Sequence, residues 1–446
     1  MPTNKQSHVS AVRPWVVPID PATPVIDFEK SQGAYMYDAA VGRSVIDFAS
    51  HYCSLPLGYN HPDFSDPAYE KELLMVSKIK VANLDVLSDS YVSFLETFRR
   101  VLGPEGFVKY FFVEGGALAV ENAMKVAFDW KIHRNMRDGK GERGTEILHF
   151  REAFHGRSGY TMSTTNTSDP NKVKYYPKFD WPRIINPKMR FPMEGANLDA
   201  TLEDERAAMR EIQKVLAERA DDIAAILIEP IQSEGGDNHF RPEFLQFLRN
   251  MADEHDCLLI FDEVQTGVGM TGKAWAFQTL GVTPDIIAFA KKAQLGGIIV
   301  GPRVMQEPKN CFTVPSRISS TWGGSLTDMV RSRKYLEIME KENLFENAKV
   351  KGAEILQKLH GIAERTDVIE NIRGRGLLIS FDLIHPETRQ QIVDAMYDKG
   401  LFVLICGERG VRFRPHLNVT SDVIDAALAI TEEVLASVEV PVKSAS

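Results

Sequence analysis

Five short apolar runs without polar alternation recur through the middle of the chain. They occupy residues 110–113, 147–150, 224–229, 258–261 and 286–290. An unbroken apolar run of this length predicts a strand that is buried on both faces of a sheet. Segments with apolar residues at helical spacing lie between the runs. Such alternation over residues 110–291 predicts an α/β fold built on a mainly parallel sheet.

The pattern changes on either side of this region. Residues 1–60 are rich in proline and contain a predicted hairpin, 35–38 with 45–48. Residues 88–101 have helical spacing, and the basic stretch 131–143 predicts a solvated loop. Beyond residue 324 the pattern predicts one long helix over 329–359, a strand at 376–382 and a final helix. That helix is predicted to be capped at Ser421 and to bury Val423, Ala427, Ile430 and Val434.

These patterns predict three parts. Residues 1–60 form an N-terminal segment that contributes to a smaller domain, 61–324 form the large domain, and 325–446 form the smaller α+β domain. With 446 residues the chain is long enough for this division.

Composition narrows the function classes. The formal net charge of −9 argues against nonspecific binding to nucleic acid. The first ten residues lack the apolar core of a signal peptide, and no apolar run is long enough to span a membrane. Four scattered cysteines lack metal-ligand spacing and predict a reduced protein without disulfides. We therefore expect a cytoplasmic protein without membrane or nucleic-acid partners.

Candidate chemistry lies where two of the predicted strands end. Asp262 follows the run 258–261, while Lys291 and Lys292 follow the run 286–290. Ligands of open α/β sheets bind beyond the carboxyl ends of the strands. A lysine that binds an aldehyde and an acid that holds a pyridine nitrogen protonated suit pyridoxal phosphate. An acid that caps a turn and a solvated lysine pair are the alternative interpretation of these residues.

Two further segments are compatible with ligand binding but do not require it. Small residues at 115–117 stand between a strand and a helix, an arrangement that binds phosphate through free backbone N–H groups. A tight turn packed on the sheet explains them equally well. Residues 154–157 combine an aromatic ring, a glycine and an arginine that could stack on a ring and bind a carboxylate. The absence of GxGxxG and Walker motifs argues against a nucleotide-dependent enzyme.

The motifs occur together in one order along the chain. They are Gly115-Gly116-Ala117, Phe154-His155-Gly156-Arg157, Glu229-Pro230-Ile231-Gln232, Asp262-Glu263-Val264-Gln265-Thr266-Gly267, Lys291 and Ser320-Thr321-Trp322-Gly323-Gly324. This ordered set resembles the class III (ω-) aminotransferases of pyridoxal-phosphate fold type I. Within that class the resemblance is strongest to the branch that acts on the terminal amine of L-lysine.

The resemblance implies a set of cofactor-binding residues. Lys291 resembles the lysine that forms the Schiff base, because its spacing from Asp262 is that of the family; Lys292 remains the competing candidate. Asp262 matches the partner of the pyridine nitrogen, Gln265 the residue beside the ring oxygen, and Phe154 the stacking aromatic. The other implied cofactor contacts are the phosphate ligands Gly116, Ala117 and Thr321, the last reaching in from the second subunit of a homodimer.

The resemblance also implies how the substrates bind. Arg157 resembles the residue that takes the carboxylate remote from the reacting carbon, and Arg412 the one that takes the α-carboxylate of glutamate or 2-oxoglutarate. Glu234 matches a gate that neutralises Arg412 while lysine is bound. We expect transfer of the terminal amino group of L-lysine to 2-oxoglutarate.

Departures from the family pattern leave the amine donor more open than the chemistry. Gly115 and Ala117 stand where hydroxyl residues are common, and Ser233 replaces a glycine before the gate. Met270 replaces a common arginine. Another ω-aminotransferase, with ornithine or 4-aminobutyrate as donor, is the first alternative. A catalytically silent protein of the same fold is the second.

Overall fold

The computed structural model describes residues 12–18, 20 and 23–438. The strands are β1 (Tyr35–Asp38), β2 (Arg43–Asp47), β3 (Lys109–Val113), β4 (Glu146–Phe150), β5 (Arg183–Ile184), β6 (Ile223–Ile228), β7 (Ile231–Gln232), β8 (Asn238–His239), β9 (Leu258–Asp262), β10 (Ile286–Phe289), β11 (Gly296–Val300), β12 (Ile369–Arg375), β13 (Leu378–Leu383), β14 (Leu401–Phe402), β15 (Leu404–Cys406) and β16 (Gly410–Phe413).

Helices connect and cover these strands. The longer ones are α1 (Pro67–Ser77), α2 (Asp89–Leu102), α3 (Gly116–Arg137), α4 (Gly159–Thr164), α5 (Gly195–Arg219), α6 (Pro242–Glu254), α7 (Leu326–Lys341), α8 (Leu344–Ala363), α9 (Arg389–Asp398) and α10 (Ser421–Ala436). Single helical turns span Arg13–Trp15, Ser50–Cys53, Pro62–Ser65, Pro170–Lys172, Phe277–Leu280, Lys291–Ala293, Pro302–Met305 and Pro386–Thr388.

The central sheet has the strand order β3-β11-β10-β9-β6-β4-β5. Its neighbours from β10 to β5 are parallel, and only β11 runs against both of its neighbours. The mainly parallel α/β sheet is therefore confirmed, with its five predicted strands. The sequence analysis missed β11, which begins with two glycines and so lacks the apolar start of the other runs.

Side chains of the central strands alternate between two apolar layers. Phe111 and Val113 of β3 pack with the inner face of α3, whereas Phe112 belongs to the layer on the opposite face. The same alternation divides β9, with Ile260 on the α3 side and Phe261 on the other. Burial on both faces explains why these strands read as unbroken apolar runs.

Two smaller sheets lie outside the central one. β12-β13-β16-β15 form an antiparallel sheet against α8, and β1-β2-β14 form a three-stranded sheet. In the latter, Leu401 of β14 lies opposite Ile46 of β2, so the N-terminal hairpin is completed by a strand from the end of the chain. The division at residues 60 and 324 stays a prediction.

Three predictions of local structure were wrong. The basic stretch 131–143 is not a loop throughout, because α3 continues to Arg137 and buries Lys131, whose Nζ donates to the carbonyl of Asp256 at 2.7 Å. The helix predicted over 329–359 is two helices, α7 and α8, separated by Asn343 with a φ of 52°.

The third wrong prediction concerns α10, whose N-cap and buried face were only partly as predicted. Its N-cap is Thr420, while the hydroxyl of Ser421 hydrogen-bonds to Glu354 at 3.0 Å. Ala427 and Val434 are buried as predicted, but Val423 and Ile430 lie only at the margin of the core. The buried residues of this helix are Ile424, Ala427, Leu428, Thr431, Val434 and Leu435.

Within the described part of the chain, the helices are too short or too polar to cross a bilayer. The four cysteines are free, and all are buried.

Candidate active site

A cavity of about 770 Å³ opens beyond the carboxyl ends of β9 and β10, beside the N-terminus of α3. Nine of the ten residues predicted for the site line it: Gly116, Ala117, Phe154, Arg157, Glu234, Asp262, Gln265, Lys291 and Arg412. Segments far apart in sequence converge here because the parallel strands of the sheet end at one edge.

Asp262, the last residue of β9, is fixed from two directions. Its Oδ1 accepts a hydrogen bond from the backbone N–H of Val264 at 3.1 Å, and its Oδ2 accepts one from Nδ1 of His155 at 2.7 Å. Both side chains are buried. The carboxylate is thus held in one orientation at the floor of the cavity. His155 was absent from the predicted site, although it follows the predicted Phe154.

The two adjacent lysines have different surroundings. Lys291 lines the cavity, and its Nζ donates to the carbonyl of Tyr52 at 3.0 Å. Burial lowers the pKa of Lys291 to about 8, and the positive charges of Arg412 and Arg414 act in the same direction. Lys292 points away, is 1% exposed and donates to the carbonyl of Gln265 at 2.7 Å. Only the first of the two amines reaches the cavity.

The strand-to-helix turn at the start of α3 presents backbone donors to the cavity. Gly115 has a φ of 87°, which a glycine adopts without strain, and it precedes the first helical residue, Gly116. A Cβ at Gly116 would lie 3.0 Å from the side chain of Val264. The first N–H groups of a helix have no intrahelical acceptors and favour an anion. The turn therefore suits a phosphate group.

Glu229 connects two loops that line the cavity. It ends the 224–229 run and is 3% exposed. Its Oε1 accepts a hydrogen bond from the N–H of Phe154 at 2.8 Å, and its Oε2 accepts one from the N–H of Ser233 at 3.1 Å. Burial and the charge of Asp262 raise its pKa well above the usual range. The sequence analysis gave Glu229 no role, although, like Asp262, it is an acid that ends a buried run.

Arg157 and Arg412 bring two guanidinium groups to the same cavity. Arg157 is exposed, and its Nε donates to the carbonyl of Lys172 at 3.2 Å. Arg412 lies in β16 and is 4% exposed, and its Nε and Nη1 are buried without a hydrogen-bond partner among the described residues. A buried guanidinium with unused donors is suited to a carboxylate ligand.

Glu234 does not pair with Arg412 in this structure. Its Oε1 instead accepts from Nζ of Lys172 at 2.6 Å and from Oγ1 of Thr167 at 2.7 Å. Gln265 also lines the cavity, with a buried Oε1 that has no partner among the described residues.

Thr321 is the predicted residue that does not line this cavity. It is exposed, in a segment anchored where the carbonyl of Trp322 accepts from Nδ2 of Asn83 at 2.9 Å. Within the chain itself, Thr321 therefore has no contact with the site that the other nine residues form.

The residues of the cavity fit pyridoxal phosphate. The turn at Gly116 offers donors for an anion, Phe154 offers a flat apolar face, and Asp262 offers an oriented carboxylate for a ring nitrogen. Lys291 supplies a primary amine whose lowered pKa increases the fraction in the neutral, nucleophilic form. Unpaired donors on Arg412 leave room for a substrate carboxylate.

Comparisons with known proteins show the family of the chain. The model of the family "Aminotransferase class-III" matches residues 18–435. The chain belongs to the class-III aminotransferases. As a member of this class it is a pyridoxal-phosphate-dependent enzyme of fold type I, as the sequence analysis expected.

Individual relatives cover nearly the whole chain. L-lysine-epsilon aminotransferase from Mycobacterium tuberculosis is 47% identical over 92% of this class-III aminotransferase and 91% of its own length. The enzyme of that name from Streptomyces clavuligerus is 43% identical over 93% and 91%. A solved structure of lysine aminotransferase from M. tuberculosis superposes with a TM-score of 0.93 at 45% identity, covering 97% of this chain and 99% of that one.

Proposed function

We propose that this aminotransferase moves the terminal amino group of L-lysine to 2-oxoglutarate, giving 2-aminoadipate 6-semialdehyde and glutamate. The observation that carries this proposal is the pair Arg157 and Arg412, two cations lining one cavity with Lys291 and Asp262. One arginine suffices for a monocarboxylate, whereas 2-oxoglutarate can use both. The names of the relatives, at up to 47% identity, support lysine as the donor.

Pyridoxal phosphate, when bound, supplies an electron sink for the carbon that loses its proton. Asp262, oriented by His155, would hold the ring nitrogen protonated. Phe154 would cover a face of the ring, and Gln265 would contact its ring oxygen. The remaining proposed contacts are those of the phosphate, with Gly116, Ala117 and the partner subunit's Thr321.

Lys291 has two proposed tasks. Its Nζ would hold the cofactor covalently, and the free amine would carry the proton that the substrate carbon loses. A pKa of about 8 supports both, because a base works best when its pKa lies near the working pH. Lys292, packed under the backbone of Gln265, is suited to neither.

The substrate carboxylates are assigned to the two arginines. Arg157 takes the carboxylate remote from the reacting carbon, for lysine and for 2-oxoglutarate alike. Arg412 takes the second carboxylate of 2-oxoglutarate or glutamate. When lysine is bound, Arg412 would face only methylene groups, so Glu234 turns to it and neutralises the buried cation.

We further propose a homodimer with shared sites. Apolar side chains are exposed along residues 74–92 and at Trp322: Leu74, Met75, Ile79, Leu84, Val86, Leu87, Val92 and Trp322. Lys80 stacks on the ring of Trp322 at 3.9 Å and pairs with Glu114, next to the phosphate-binding turn. A second copy on this surface would bring its own Thr321 towards that turn. Four free, buried cysteines support a cytoplasmic location.

A donor screen tests the proposal. The holoenzyme is mixed with 2-oxoglutarate and L-lysine, L-ornithine or 4-aminobutyrate, and glutamate formation is followed. We expect lysine to give the highest kcat/KM by at least roughly tenfold, and Lys291→Ala to give none. A higher value with ornithine or 4-aminobutyrate would replace lysine as the donor. Absence of glutamate with every amine would refute 2-oxoglutarate as the acceptor.

A further inference from the structure

Glu234 is held by a second cation, which the two-arginine scheme does not include. Nζ of Lys172 and Oγ1 of Thr167 both donate to Glu234 Oε1, at 2.6 Å and 2.7 Å. Its other oxygen, Oε2, is buried and has no hydrogen-bond partner among the described residues. The carboxylate thus shares the cavity with two cationic groups, Lys172, which it engages, and Arg412, which has unused donors.

The segment that carries these donors is ordered by its own hydrogen bonds. Lys172 closes the helical turn Pro170–Lys172, whose N-cap, Asp169, accepts from the N–H of Asn171 at 3.0 Å. Oγ1 of Thr167 also accepts from the N–H of Asp169 at 3.3 Å. Thr167 and Lys172 are therefore fixed relative to one another, and Lys172 lines the cavity.

We propose that Lys172 and Thr167 form a second binding position for the Glu234 carboxylate and thereby help to determine substrate choice. The inference rests on the proposed function, because it states where the Glu234 carboxylate binds while a dicarboxylate occupies Arg412. A carboxylate that leaves one cation inside a partly closed cavity is stabilised by reaching another, because an unpaired buried charge is costly. Lys172 is that second cation, and it is a specificity-determining residue.

The Glu234 carboxylate can pair with Lys172 or with Arg412, and its position determines which substrate binds. Binding of 2-oxoglutarate or glutamate requires Glu234 on Lys172, and binding of lysine favours Glu234 on Arg412. Loss of the Lys172 side-chain charge shifts the population of Glu234 towards Arg412 without touching either arginine. Only sites with Glu234 away from Arg412 can bind a dicarboxylate. The apparent Kd for dicarboxylates is therefore the Kd of those sites divided by the fraction of sites in that state.

The main chain of Lys172 performs a separate task. Its carbonyl accepts from Nε of Arg157 at 3.2 Å, and this contact does not depend on the side chain. A substitution at Lys172 that keeps the backbone therefore leaves Arg157 anchored. The effects on the two carboxylate sites can then be distinguished.

The test compares Lys172→Met and Thr167→Val with Lys174→Met in the holoenzyme. Lys174 is an exposed lysine two residues away whose Nζ lies over the ring of Tyr175 at 4.7 Å, so its replacement removes the same charge from the same loop. Single-turnover rates are measured with L-glutamate and with L-lysine. We expect Lys172→Met to raise the apparent Kd for glutamate roughly tenfold and to spare lysine, because a charged hydrogen bond is lost. Thr167→Val should act in the same direction by a smaller factor, and Lys174→Met should match wild type.

A double variant supplies the decisive outcome. In the Glu234→Gln background the same Lys172→Met change should have no effect on glutamate, because the carboxylate that it holds is gone. Equal losses for glutamate and lysine, or the same loss in both backgrounds, would overturn the proposal. Failure of the lysine assignment would be visible separately, as a wild-type enzyme that prefers another amine. The glutamate measurements would still decide the role of Lys172.

Discussion

Nδ1 of His155 lies 2.7 Å from Oδ2 of Asp262, and the two side chains are 0% and 4% exposed. A charge-assisted hydrogen bond of this length in a buried site fixes the carboxylate plane. His155 is therefore a positioning residue, which acts on the cofactor through Asp262.

Replacement of His155 by Leu should lower kcat by roughly tenfold to a hundredfold, the range expected for loss of a hydrogen bond to a charged group. His155→Asn should recover part of this loss, since an amide N–H can replace Nδ1–H. The measurements are kcat with saturating cofactor and the visible absorbance of the holoenzyme. If Asn behaves like Leu, His155 does not act through this hydrogen bond.

His149 provides the matched control. It is equally buried, in β4, and its ring nitrogens lie 3.1 Å from the carbonyl of Ile147 and 3.1 Å from Nε of Arg183. It does not line the cavity. His149→Leu should lower Tm while leaving kcat and the absorbance unchanged.

Borohydride reduction of the holoenzyme followed by peptide mapping should place the pyridoxyl group on Lys291. Lys291→Ala should lose turnover by several orders of magnitude, because a covalent catalyst cannot be replaced by binding alone. Lys292→Met should retain the adduct, as that amine is hydrogen-bonded to the carbonyl of Gln265. An adduct on Lys292 would reverse the assignment.

The lowered pKa of Lys291 predicts a pH dependence for reconstitution of the cofactor-free enzyme. Only the neutral amine attacks the aldehyde, so below pH 8 the attachment rate should fall about tenfold per pH unit. Above about pH 8 the rate should level off. A lysine at the ordinary pKa of 10.5 would instead keep gaining rate up to that value. Stopped-flow absorbance measures the profile, with N-acetyl-lysine amide as the unshifted control.

The lowered pKa of Lys291 also affects the stability of the folded, cofactor-free protein. Between pH 8 and 10.5 the unfolded chain still binds the Lys291 proton that the folded, cofactor-free protein has released. At this group the unfolded state then binds more protons, so the contribution of Lys291 to the free energy of unfolding should rise with pH in this window. Lys292, whose pKa burial also lowers to about 8, contributes in the same direction. Urea titrations at pH 7.5 and 9.5 check the sign: the free energy of unfolding of wild type minus that of Lys291→Met should be larger at pH 9.5 than at pH 7.5.

A mixture of Thr321→Val and Lys291→Ala subunits tests whether the two subunits share each site. Thr321→Val should weaken cofactor binding, and Lys291→Ala should abolish turnover, yet a mixed dimer contains one site with both residues intact. Random reassortment should restore roughly a quarter of the wild-type activity at limiting cofactor, since half the dimers are mixed and each has one complete site. No recovery after confirmed subunit exchange, or a fully active monomer by light scattering, would refute the shared site.

The sequence by itself determined five strands of the central sheet and the edge at which the candidate acid and lysines meet. Strands buried on both faces leave unbroken apolar runs, and the acid and lysines that follow such runs must meet at one edge of a parallel sheet. Asp262, the pair Lys291 and Lys292, and the turn at Gly116 could be found for that reason. The cavity at this edge was predictable from local pattern and chain order.

Tertiary structure alone decided which polar side chains pair. Local pattern does not tell Lys291 from Lys292; in the structure one amine lines the cavity and the other lies under the backbone of Gln265. His155 meets Asp262 across 107 positions of sequence, and Glu234 meets Lys172 across 62. Such contacts depend on where loops from separate strands converge, and a hydrogen bond between distant residues leaves no periodic trace in either segment. The apolar pattern that predicts a strand lies within one short segment, whereas the polar pairs of the site join residues from distant segments.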